Sequence, residues 1–230
     1  LGLECHLSVF HGRVTSAGPD YEENGNAFLN QLFGAHLHAV PWSGDRNAAL
    51  HELADGLKRN GRTPYVIPYG VSNGLGAVGY ASAVAEIANQ SRDCGFTPDA
   101  IIHCTGSGAT QAGLVVGASR ALEETEIFGI DIDAEPERVE ADVLRYAEEA
   151  SGLLNLSLDK SRIRVIAGHS GPAYGVPHEQ TIEAIRLAGM LEALVLDPVY
   201  SGKGLAGLID LVGRGVWGRE QNIVFLHTGG

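Results

Sequence analysis

The 230-residue chain is short of positive charge, of cysteine and of long apolar runs, and each shortage removes a class of function. Sixteen Lys and Arg stand against 28 Asp and Glu, a formal net charge of −12. A nucleic acid or an anionic membrane asks for a basic surface, so neither partner is expected. No apolar stretch approaches the length of a membrane-spanning helix, and no signal-peptide or lipidation pattern is visible. Cys5, Cys94 and Cys104 are odd in number, far apart and without a C-x-x-C pair. That usage suggests a reduced, cytoplasmic setting, with Cys104 a small buried residue and not a reactive thiol. The nine histidines never take H-x-x-x-H or H-E-x-x-H spacing; His36 and His38 share a strand face with no carboxylate or thiol near them in sequence. No metal site is expected.

What is present points to a soluble α/β protein with many tight turns: 44% apolar residues, 19% charged and 31 glycines. The length suffices for one large domain or one and a half. Strand-like runs (5–10, 37–40, 64–67, 100–103, 127–132, 164–166, 194–196 and 223–226) alternate with helix-like runs (26–33, 46–60, 75–90, 110–122, 135–154, 178–193 and 204–212). Such alternation predicts parallel sheets flanked by helices. The turn-rich crossing Tyr69-Gly70-Val71-Ser72-Asn73-Gly74 divides a smaller lobe, residues 1–72, from a larger one, residues 73–230. The chain opens on Leu1-Gly2-Leu3 and closes on a glycine loop straight after an apolar strand, so it reads as a piece of a longer protein with an incomplete small lobe.

The most informative segment follows the run Ala100–His103: Cys104-Thr105-Gly106-Ser107-Gly108-Ala109-Thr110-Gln111-Ala112-Gly113, which opens a helix-like stretch. Strand, glycine turn and helix start make an anion cradle, because first-turn N–H groups lack helical partners and carry the positive end of the helix dipole. Glycines allow close approach, and Ser107 and Thr110 add hydroxyl donors. In a chain this acidic, a phosphate must be held by local donors. A Walker A loop is excluded because Leu114, not lysine, follows Gly113. A dinucleotide fingerprint fits only in part. Gly106 and Gly108 match, with Asp131 or Asp133 as the acid, but Gln111 stands where the third glycine belongs.

Several blocks, spread along nearly the whole chain, resemble the pyridoxal-phosphate enzymes related to the tryptophan synthase β subunit. They are Ile67-Pro68 through Ser72-Asn73, Leu75–Tyr80, the glycine loop, Gly171-Pro172-Ala173-Tyr174-Gly175-Val176-Pro177, Asp197-Pro198-Val199-Tyr200-Ser201-Gly202-Lys203-Gly204, Gly207–Asp210 and His227–Gly230. The chain is most similar to the branch holding D-cysteine desulfhydrase and 1-aminocyclopropane-1-carboxylate deaminase.

The resemblance implies the two-lobed fold of that family, a pyridoxal 5'-phosphate cofactor, a small amino-acid substrate and a homodimer. It implies that Gly106, Ser107, Gly108, Ala109 and Thr110 wrap the cofactor phosphate, and that Tyr174 and Tyr200 flank cofactor and substrate and move protons. Ser201 and Thr228 match the desulfhydrases, whereas the deaminases carry Glu and Leu there. A hydroxyl beside the ring nitrogen would leave it largely unprotonated, enough for expelling a thiolate. The implied reaction is a β-elimination giving pyruvate, hydrogen sulfide and ammonia; related sulfo-lyases acting on cysteate share these residues. The chain departs from the family at the Schiff-base lysine. Only Lys58, Lys160 and Lys203 are present, none in the family's Asn-Lys-x-Arg-Lys context, and the Ser-Asn-His carboxylate grip is missing too. Lys203 suggests a structural or surface role, and the chain alone is expected to be inactive. A non-catalytic phosphate-binding remnant and a nicotinamide-dependent oxidoreductase are the competing expectations.

Overall fold

The computed structural model describes residues 2–12, 18, 23–42 and 45–229 and divides the chain into two compact units, Leu1–Pro68 and Tyr69–Gly230. Leu1 and Gly230, on which the expectation of a longer parent partly leaned, lie outside the described residues. In the first unit, β1 (His6–His11) pairs in parallel with β2 (His36–Pro41), and α1 (Gly25–Leu32) and α2 (Arg46–Arg59) follow one strand each. His6 stacks on His36, its partner in register, and its Nδ1 lies 3.1 Å from His38 Nε2. Among this unit's described residues, Ala54 is the one buried apolar side chain, and Phe28, Leu32 and Phe33 are exposed.

The second unit has a full core. Its elements are α3 (Gly74–Asp93), β3 (Ala100–Thr105), α4 (Ala109–Ala121), β4 (Glu126–Asp131), α5 (Pro136–Leu154), β5 (Arg164–Ile166), α6 (Glu179–Glu192), α7 (Ser201–Gly213) and β6 (Ile223–Phe225). The four strands form one parallel sheet in the order β5-β4-β3-β6. Both faces are covered, which is why the central strands are apolar without alternation. Ile101 and Ile127 pack against Leu114, Val115 and Ala118 of α4, while Ala100, Ile102, Phe128 and Ile130 pack against Leu211 and Trp217 on the other side. Leu114, Val115 and Val116 are fully buried; each such side chain stabilises the fold by roughly 1.5–3 kcal/mol.

Local sequence sets the helix ends. Asn73 caps α3 by accepting the Gly76 N–H at 2.7 Å, and Pro136 occupies the first turn of α5. In α5, Val139, Val143, Tyr146, Ala147 and Ala150 form the buried stripe of an amphipathic helix. Gly113 and Gly117 let α4 lie directly on α3: a methyl group there would sit 2.1 Å from the Ala77 carbonyl oxygen and 2.5 Å from that of Ala81.

Two expected strands do not form. Residues 64–67 and 194–196 are apolar but pair with no strand among the described residues, and Tyr65, Ile67, Leu194 and Val195 are exposed. The helix expected at 204–212 begins earlier, at Ser201, for a reason the site makes plain.

Candidate active site

Strand β3 leads into α4 and β4 on one side, while β6 arrives on its other side from the far end of the chain. The carboxyl edge of β3, between those directions, is the topological switch point where open α/β sheets hold their ligands.

The glycine loop leaves β3 at this edge. Gly108 is the N-cap of α4, in the left-handed region at φ 91°, and offers no side-chain cap to the helix. A methyl group on Gly108 would meet the Val143 nitrogen at 3.1 Å, and one on Gly106 would meet Ile132 Cδ1 at 2.9 Å, so packing fixes both glycines and conformation adds to it at Gly108. Ser107 and Thr110 are half-buried. The turn Tyr69–Val71 closes over the loop; a methyl group on Gly70 would lie 2.7 Å from Ser107 Oγ.

Two carboxylates stand beside this loop, Asp133 near Gly106 and Asp142 near Gly108. Arg138 holds both, Nη2 to Asp133 Oδ2 at 2.7 Å and Nη1 to Asp142 Oδ2 at 3.1 Å, and also bonds Glu135. Asp131 is buried, accepts the Asp133 N–H at 2.9 Å, and burial pushes its carboxyl above the usual range. Asp133 is held by Arg138, Asp131 is buried, and Gln111 is fully buried with its amide donating to the Arg164 carbonyl, so the dinucleotide reading loses its support.

On the other face of β3, α7 begins. Asp197 gathers its start: Oδ1 accepts the N–H groups of Val199 and Tyr200, each at 2.7 Å, and Oδ2 accepts the Ser201 N–H at 2.9 Å and its hydroxyl at 2.6 Å. Burial pushes the Asp197 carboxyl up, but the bonds from Ser201, Tyr200 and Val199 outweigh it and hold the group below its ordinary value. Gly202, which reads as turn, is helical here, packed beneath the Asp197 carbonyl, and Gly204, the first residue of the expected helix, packs against Cys104.

Tyr200 and Tyr174 hydrogen-bond through their hydroxyls, with rings 6.1 Å apart and 74° between planes. Thr228, exposed just beyond β6, lies with Oγ1 3.6 Å from Cys104 Sγ. The loop, Thr228 and the first turn of α7 therefore meet at the end of β3, with Tyr174 joined through Tyr200. Burial pushes the Cys104 thiol up, keeping it protonated, and lowers the wholly buried His103 to about 4, keeping it neutral. Among the described residues no group of three or more His, Cys, Asp or Glu is placed to hold a metal ion, and no helix is long and apolar enough to cross a membrane.

The model of the pyridoxal-phosphate dependent enzyme family matches residues 1–229. The chain belongs to that family. It is similar to a 1-aminocyclopropane-1-carboxylate deaminase of Methylobacterium nodulans (37% identical over 235 residues) and to a D-cysteine desulfhydrase of Yersinia enterocolitica (34% over 230 residues). Both matches cover the whole chain and 69% of the relative. A solved ACC deaminase homologue superimposes with a TM-score of 0.86 at 33% identity, over 99% of this chain and 66% of the other. A threonine deaminase shares the fold with a TM-score of 0.64 at 17% identity. The chain thus spans about two thirds of these relatives' length.

The family's cofactor is pyridoxal phosphate, and the loop suits its phosphate: an uncapped helix start, two glycines that admit no methyl group, and two hydroxyls. Sequence inspection missed Asp197. Its signal was the Asp-Pro-x-Tyr-Ser spacing, an acceptor placed two to four residues ahead of donors that a helix start leaves unpaired.

Proposed function

We propose that this chain carries the phosphate cradle and phenol pair of a pyridoxal-phosphate lyase of the D-cysteine desulfhydrase type, which acts on D-cysteine to give pyruvate, hydrogen sulfide and ammonia. The observation that carries it is the uncapped α4 start at the switch point of the sheet. Gly106, Ser107, Gly108, Ala109 and Thr110 hold the phosphate through backbone N–H groups, with hydroxyls from Ser107 and Thr110. Bound there, the cofactor supplies an electron sink for the carbon that loses its proton. The chain's own part is proton handling. The Tyr174–Tyr200 hydrogen bond lets one phenol lose its proton while the other donates to the oxygen left behind, which suits the pair to general acid–base work. A cytoplasmic homodimer is part of the same proposal.

Lys58 bonds Asp55, Lys160 bonds Glu148, and the Lys203 ammonium is turned to the Ser170 carbonyl. The chain alone therefore holds the cofactor without a lysine bond and does not turn over. Borohydride reduction of the cofactor-loaded chain, followed by peptide mass spectrometry, should find no pyridoxyl-lysine; modification of Lys203 would overturn this part. For the activity itself, the chain is joined to the part of the Yersinia enterocolitica desulfhydrase that its match leaves uncovered. The chimera should release sulfide from D-cysteine and leave 1-aminocyclopropane-1-carboxylate intact; the reverse preference would make it a deaminase.

One observation favours that second reading. The single Ser201 proton goes to Asp197, so Ser201 keeps only acceptor capacity for anything else it meets. If Ser201 faces the ring nitrogen, as the resemblance implies, it favours the protonated ring and the stronger electron sink.

A further inference from the structure

Lys203 is the largest fully buried side chain of the described residues, and it sits in the first turn of α7. Both facts count against it as a stabilising choice. Burying an ammonium is costly, and a cation at a helix N-terminus opposes the helix dipole. An apolar side chain of the same length would fill the space without either penalty, so the charge is kept for what it holds.

It holds a loop. The ammonium donates to the carbonyl oxygens of Ser170 and, at 3.4 Å, Ala173. Between and beyond them the backbone is tightly wound: Gly171 and Gly175 are left-handed at φ 74° and 75°, and Ala173 and Val176 form a bridge closed by the Val176 N–H on the Ala173 carbonyl at 3.1 Å. A methyl group on Gly171 would lie 2.5 Å from the Val176 carbonyl oxygen. Tyr174 follows Ala173 directly, at the tip, and its hydroxyl bonds that of Tyr200. Tyr200 is the N-cap of the same helix that carries Lys203. One helix therefore places both phenols, Tyr200 through the Asp197 bonds and Tyr174 through the loop carbonyls.

We propose that Lys203 is a positioning residue for the phenol pair: its buried ammonium fixes the Ser170 and Ala173 carbonyls and thereby sets Tyr174 against Tyr200. This rests on the reading of Tyr174 and Tyr200 as the proton-handling pair, so the test reads the pair directly, without cofactor or turnover. With tyrosine labelled at the ring carbon bearing oxygen, NMR titration follows each phenol in the isolated chain. In the parent, Tyr174→Phe should move the Tyr200 midpoint by about one pH unit or more, because ionisation of one phenol is helped by the other's hydroxyl. In a Lys203→Met background the same substitution should move it by less than about a third of a unit, with the helical circular dichroism unchanged. Lys203→Arg, which keeps the charge, should restore part of the coupling.

A Lys203→Met protein that is less stable yet keeps the full coupling overturns the proposal and leaves Lys203 a packing residue. Should the Met variant not fold, the parent decides. A Lys203 ammonium resonance without through-bond coupling to the Ser170 or Ala173 carbonyl carbons overturns the proposal, and its presence supports it. Failure of cofactor binding leaves these outcomes untouched, so the two readings fail separately.

Discussion

Helices α4 and α7 start at the same end of β3, one on each face of the sheet, and meet the same electrostatic demand in opposite ways. Each begins on a residue whose side chain does not cap it, Gly108 for α4 and Tyr200 for α7. At α7 the chain supplies its own anion: Asp197 accepts three backbone N–H groups and the Ser201 hydroxyl. At α4 two carboxylates are close enough to compete for the same role, but Arg138 binds Asp133 and Asp142 and directs them elsewhere. Unpaired first-turn donors attract negative charge wherever they occur. What distinguishes a structural helix start from a ligand site is whether a nearby carboxylate is allowed to reach it. On the proposed reading this is how a chain of net charge −12 receives a phosphate: Arg138, joined at Asp142 by Arg145, clears the approach.

The largest expected effect breaks the α4 side of this contrast. Gly108→Val puts a β-branched residue at φ 91°, with its Cβ 3.1 Å from the Val143 nitrogen. The strain amounts to roughly 1–3 kcal/mol before any shift of α5, and the loop must move to relieve it. Pyridoxal phosphate affinity, followed by fluorescence or calorimetric titration, should fall by about 100-fold or more. Affinity within about threefold of the parent would show that the cradle is elsewhere.

Asp197→Ala breaks the α7 side. Losing an acceptor shared by four donors should destabilise the chain by roughly 2 kcal/mol in urea unfolding, with little direct effect on phosphate binding at α4. The pH dependence has a definite sign. The folded carboxyl titrates below its ordinary value of 3.8, so the unfolded state binds its proton first as the pH falls. The Asp197 contribution is therefore complete above that value and is lost as the pH drops through the lowered one. In Asp197→Asn this part of the acid slope should disappear. A parent protein whose acid slope matches the Asn variant would mean that the carboxylate does not organise the helix.

How far these two helix starts could be read from the sequence differs for a physical reason. The strand, glycine turn and helix start of the proposed α4 cradle are contiguous within a few residues of Gly108, so the linear pattern carries that geometry. The covered faces of β3 and β4 were equally legible, since apolar runs bounded by turns suffice to mark buried strands. The start of α7 was misplaced by three residues because Gly202 signals a turn unless one knows that Asp197 and Ile185 press against it. The run 194–196 has strand composition but pairs with no strand among the described residues, and a ladder partner is a tertiary fact. Lys203 was hardest of all. Lysine is almost never fully buried, and nothing local announces carbonyls arriving from a loop some thirty residues earlier.

Arg138→Ala gives a smaller effect and asks whether the clearing of carboxylates matters. With Asp133 released beside the loop and Asp142 left to Arg145 alone, phosphate affinity should drop by about 5–10-fold at low salt and recover partly as salt is raised, because these charges are partly exposed and screened. A salt-independent loss would point instead to a shift of α5 against Gly108.

The smallest effect sharpens the contrast most, since it pairs one hydroxyl at each helix start. Thr110→Val keeps the shape of a half-buried side chain in the first turn of α4 and removes one donor. One donor among several contributes about 0.5–1 kcal/mol net, so affinity for the cofactor phosphate should fall roughly 2–5-fold while stability stays within about 0.5 kcal/mol of the parent. Ser201→Ala should do the reverse. Its hydroxyl is buried and committed to Asp197, so its loss should lower stability by about 1 kcal/mol and leave phosphate affinity unchanged. If both variants weakened phosphate binding equally, the two helix starts would form one anion site, and Asp197 would be a competitor for the phosphate instead of the anchor of α7.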